Sequence, residues 1–147
     1  MLVAHLDSHE SYERDRLIFP VIYLYRHHVE LMLKAIIDRG DELYQTQRLK
    51  ECMHHRLLDL WLVAKEMIVG NELCTIQETK AAEDIIREFA DADPLSFSFR
   101  YPVDKALNKL TPQWHKVSVT NLQNTMAKLS NFLKDALYTL NQTEGGA

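Results

Sequence analysis

Apolar residues recur along this chain with a helical period, most clearly between Arg14 and Arg39. Leu17, Val21, Leu24, His28, Leu31 and Ala35 fall at alternating spacings of four and three. Ile18, Ile22, Tyr25, Val29, Met32 and Ile36 form a second stripe beside them. Two adjacent stripes predict a helix over Leu17 to Arg39 that is buried around more than half its circumference. Pro20 marks its start or a kink. Gly40 is expected as its C-cap, with Arg39 favourable in the last turn.

Residues 41 to 50 are polar and read as helical or as a short connector. Helical periodicity returns from Lys50 to Val69, with His54, Leu57, Trp61, Ala64 and Ile68 as the buried stripe. Gly70-Asn71 ends that helix. Thr75-x-x-Glu78 has the spacing of a capping box and opens a third helix to about Ala90, with Ile76, Ile85, Ile86 and Phe89 as its buried positions. Residues 91 to 117 hold three of the four prolines and many aromatics, without a helical period. They read as a structured loop with a short strand at Ser96 to Tyr101, and long loops of this kind often carry function. In the last helix, from about Val119 to Leu140, Leu122, Met126, Leu129, Leu133, Ala136 and Leu140 make a narrow heptad seam. That seam packs inside the bundle or serves as a dimer surface. Residues 1 to 12 begin a helix or pack across the bundle, and the tail from about residue 142 is expected to be disordered.

A single helical-bundle domain over residues 1 to 147 accounts for this pattern, since the length is typical of one domain. Four glycines and four prolines are few for so long a chain, which favours long helices over many short strands. The net charge of −4 excludes a protein that coats nucleic acid nonspecifically, because such binding needs many Lys and Arg contacts to phosphate. A small local pocket for RNA or a nucleotide stays open. Cys52 and Cys74 have no metal spacing and read as reduced core thiols of a cytoplasmic protein. No signal peptide or membrane-spanning run is expected.

Candidate chemistry is concentrated on a polar line in the first helix: Tyr23, Arg26, His27, Glu30 and Lys34. Arg26–Glu30 and Glu30–Lys34 are each four apart and share one face. Two readings are open. The line is a solvated face with ordinary helix salt bridges, or it is a polar pocket in which Arg26 and Glu30 hold His27 or a ligand. His55, one position round from the stripe residue His54, is the best placed to meet that line as a proton carrier. Arg48 followed by His54 or His55 fits an Arg-x(4–6)-His spacing, which chance alone also produces. Glu51-x-x-His54 is only half of a ferritin-like site and His5-x-x-x-His9 is a lone pair, so neither a metal nor a cofactor is expected. There is no nucleophile elbow and no phosphate loop.

Three segments carry a resemblance. IFPVIYLYRHHVELMLKAII, His55 to Trp61 (HRLLDLW) and SFSFRYPVDK are similar to the hallmark segments of a group of uncharacterised bacterial helical proteins close to the HEPN-like bundles. The resemblance implies an all-α, HEPN-like bundle of four to five helices with the long aromatic loop between the last two, and a homodimer. It also implies a setting in bacterial defence, toxin–antitoxin or mobile-element systems. The matching residues are Arg26, His27, Glu30, His55, Arg100 and Asp104, expected to converge as the loop folds over the first two helices. Arg100 would anchor the loop or contact an anion. Members of this fold act either as binding or interaction proteins or as metal-independent endoribonucleases. In an endoribonuclease here, His55 or His54 would move the proton and Arg26, Arg48 or Arg100 would contact phosphate. The acidic balance, the missing nucleophile and the early position of the Arg–His pair put the interaction protein first.

Overall fold

The computed structural model describes residues 11–52, 56–92 and 119–143. Among these, every regular element is an α-helix: α1 (Ser11–Tyr44), α2 (Arg48–Glu51), α3 (Leu57–Gly70), α4 (Ile76–Ala92) and α5 (Val119–Gln142). The all-α expectation holds. The region 93–118 that would carry the aromatic loop lies outside the described residues.

α1 is longer than its apolar stripes suggest and runs through Pro20. Its core line takes Ile22, Val29 and Ile36 from the second expected stripe and its other members from outside both stripes. The buried residues Ile22, Arg26, Val29, Leu33, Ile36, Gly40 and Leu43 follow spacings of four and three throughout. The stripe one position round is half outside, with Leu24 56% and Leu31 51% exposed. An arginine and a glycine interrupt this seam, so apolar residues alone show only part of it.

Gly40 is therefore a packing residue rather than a cap. A Cβ there would lie 1.8 Å from Met67 Sδ, so α1 and α3 touch where α1 has no side chain. α1 stops instead at Gln45, a non-glycine residue in the left-handed region at φ 55°. The Thr46 amide donates to the Asp41 carbonyl, the six-to-one bond of a Schellman ending. Asp41 then joins α1 to α2, its carboxylate accepting from the Arg48 and Leu49 amides and from Thr46 Oγ1. α3 ends in the same way, with Glu72 at φ 53° and the Leu73 amide on the Ile68 carbonyl.

The single helix expected over Lys50 to Val69 is two helices, since Arg56 is extended where α3 begins. Its stripe is otherwise as expected, with Leu57, Trp61, Ala64 and Ile68 fully buried; His54 lies outside the described residues. The capping box of α4 is complete. Thr75 Oγ1 accepts from the Glu78 amide, and Glu78 Oε2 accepts from the Thr75 amide. Ile86 and Phe89 are buried as expected and Ile85 is half-buried, but Ile76 is 89% exposed, and Thr79, Ala82 and Ala90 complete the face. The position just after an N-cap lies at the rim of a helix, where a buried stripe has not yet begun.

α1 packs on both α3 and α5, and α4 closes against those two. The pairs Gly40/Met67 and Tyr44/Asn71 advance together, as do His28/Ser130 and Arg39/Thr143, so α3 and α5 both run roughly parallel to α1. The six seam residues of α5 are all buried within this chain. They pack inside the bundle and are not available as a dimer surface. No helix among the described residues is long and apolar enough to cross a membrane.

Candidate functional site

The polar line of α1 divides in two. Arg26 is 0% exposed and Glu30 3%, so this part is not a solvated face. Arg26 occupies a seam position, and Glu30 is one turn further on at the seam's edge. Arg26 Nη1 donates to Glu30 Oε2 at 3.3 Å, and Lys34 Nζ, nearer the surface, donates to Glu30 Oε1 at 2.8 Å. One carboxylate thus takes a cation on each oxygen. The i, i+4, i+8 spacing makes this ladder possible on one helix without help from another. Burying an ion pair costs several kcal/mol per ion in lost hydration, and it persists where charge and hydrogen bonds are returned by partners.

His27 belongs to the other part. It is exposed and stacks on Tyr23, four residues earlier, with ring centroids 6.1 Å apart. It does not sit in the ladder with Arg26 and Glu30. The imidazole turned towards the bundle is that of His28, whose Nε2 lies 3.0 Å from Ser130 Oγ on α5. Burial, with Lys134 nearby, pushes its pKa down and favours the neutral ring.

Arg48 is elsewhere. Its amide bonds Asp41, fifteen residues beyond Arg26 on α1, or roughly 22 Å along the helix axis. Its guanidinium donates to Glu66 at 2.6 Å and lies 3.4 Å from Glu51. The hydrogen bond to Glu66 holds its charge firmly in place. Arg26 and Arg48 therefore do not share a site. His54, His55, Arg100 and Asp104 lie outside the described residues.

Both cysteines have unactivated thiols. Burial pushes each of them up, and Cys52 donates to the Arg48 carbonyl at 3.3 Å. No group of three or more His, Cys, Asp or Glu side chains that could hold a metal occurs among the described residues.

One polar cluster escapes a reading of single helices. Glu83 on α4 accepts from Trp61 Nε1 at 2.9 Å, from Lys65 at 2.7 Å, and from Arg87. These donors, led by Lys65 and then Trp61, hold its carboxyl down at about 2. Trp61–Lys65 and Glu83–Arg87 are each four apart, and a buried indole needs an acceptor. That was the available signal, though only the docking of α4 on α3 joins the two pairs. No family model, curated protein or solved structure matches this chain, and what the site can do follows from its own geometry.

Proposed function

We propose that this chain is a non-catalytic binding or interaction protein of HEPN-like fold, working in a bacterial defence, toxin–antitoxin or mobile-element setting. The observation that carries the reading is the complete burial of Arg26 with its charge committed to Glu30. An arginine that stabilises a phosphate during cleavage must reach a substrate arriving from water. Releasing Arg26 would draw a buried guanidinium away from its carboxylate, at a cost of several kcal/mol. Arg48 is held by two carboxylates and sits at the other end of α1. Arg26 is thus a buried structural cation and Arg48 a half-exposed one far from it, which supports binding over cleavage. The HEPN-like and defence-related parts rest on the three sequence segments.

The test is incubation of the wild type and His55→Ala with tRNA and mRNA in the presence of EDTA. Neither protein is expected to cleave. Cleavage by the wild type that is lost in His55→Ala overturns the proposal and installs the endoribonuclease reading, with His55 as its proton carrier.

A further inference from the structure

α4 and α5 leave an open groove between them of about 480 Å³. α4 offers small residues here, Ala81 and Ala82, so the two helices do not fill the space. The floor is apolar, made by Ala82, Ile85, Leu129 and Phe132. The two ends differ in charge. Glu78 and Asp135 stand at one end, both near enough to Cys74 to act on its thiol, and Lys128 stands at the other. Asp135 and Lys128 are seven residues apart on α5, about 10 Å or two helical turns. Both are exposed, and neither has an ion-pair partner among the described residues.

We infer that this groove docks an amphipathic helix of a partner protein. The partner's apolar face lies on the half-buried Ile85 and Phe132. A basic residue at one end of that face meets Glu78 and Asp135, and an acidic one meets Lys128. Two turns are what a helix needs to place apolar anchors at i, i+4 and i+7 in a groove. The opposite charges at the two ends set the direction in which the helix lies, and mismatched ends select against wrong partners. This inference rests on the reading of the chain as an interaction protein and names its docking surface.

Two synthetic 14-residue peptides test it. Both carry leucines at i, i+4 and i+7; one has Lys at one end and Glu at the other, while the second has Glu at both ends. Binding is read by fluorescence anisotropy. Groove occupancy is read by the rate at which iodoacetamide alkylates Cys74, resolved from Cys52 by peptide mass. The Lys-tipped peptide is expected to bind at least tenfold more tightly and to slow alkylation of Cys74 severalfold. Ala81→Trp, at an exposed position on α4, fills the groove and should weaken binding at least tenfold. Asp135→Lys should abolish the preference between peptides. Circular dichroism melts confirm that both variants are folded. Equal affinity for the two peptides, or binding untouched by Ala81→Trp, overturns the inference. So does a wild-type dimer in sedimentation that Ala81→Trp splits, because the occupant is then a second copy. Failure here with no RNA cleavage leaves the interaction reading standing; cleavage dependent on His55 removes it whatever the peptides do.

Discussion

The two halves of α1 place opposite things in one seam. At Arg26 the seam holds a full charge, and at Gly40 it holds nothing. Both residues are buried and both face the bundle, yet their energetics have little in common. Arg26 gives up hydration and is tolerated because Glu30 neutralises it from the next turn. Gly40 lacks a side chain and is tolerated because Met67 fills the gap. A glycine inside a helix costs about 1 kcal/mol relative to alanine, which close packing here has to offset. A seam position is therefore defined by where it points, and apolar character is only its commonest sign.

Removing one partner of the charged half should have the largest effect. Glu30→Ala leaves Arg26 and Lys34 without their shared carboxylate and should cost about 3–5 kcal/mol in urea unfolding. Arg26→Met combined with Glu30→Leu should return to within about 1 kcal/mol of the wild type, since well-packed apolar residues often replace a buried pair at little cost. A single-variant loss below about 1 kcal/mol would remove the contrast between the halves, because that is the size of an exposed pair.

The uncharged half should respond to volume instead. Gly40→Val puts new carbons where Met67 lies, and overpacking of this kind costs about 1–3 kcal/mol. Met67→Ala in the same chain should recover part of that loss, which a double-mutant cycle measures as coupling between the sites. Additive losses would mean that α1 and α3 do not meet at this pair.

Glu83 sharpens the comparison from outside the seam, as a carboxylate at the bundle's edge fed by donors from two helices. Its folded-state pKa of about 2 is below the ordinary 4.5. The stability it provides is therefore fully present above about pH 4.5 and is lost as pH falls towards 2. A shift of that size corresponds to about 3 kcal/mol, and solvent screening by way of the half-exposed Lys65 and Arg87 reduces the expected loss to about 1–2 kcal/mol. Glu83→Gln should flatten this part of the pH profile of thermal unfolding while leaving the profile above pH 5 parallel to the wild type. An unchanged acid profile would show that the Lys65 and Trp61 contacts contribute nothing to folding.

The order of helices, the α4 capping box, the stripe of α3 and the seam of α5 were all written in local sequence. Each depends on spacing within one element, and spacing is what a sequence displays. The i, i+4, i+8 ladder of Arg26, Glu30 and Lys34 was legible too, as a line of residues on one face. Whether that face met water or the core was not. The burial of a helix face depends on the other helices packed around it, and no property of α1 alone distinguishes a solvated salt bridge from a buried one. The same holds for Gly40, which has the residue type of a cap and the environment of a crossing. It holds for Glu83, whose leading donors, Lys65 and Trp61, come from a helix about twenty residues away in the chain. Periodicity and capping are local, so the long helices and the ends of α3 and α4 could be read from residue spacing, but the end of α1 and the break before α3 could not. That the seam of α1 runs through Arg26 depends on helices packed around it, since burial is a property of neighbours brought together by the fold.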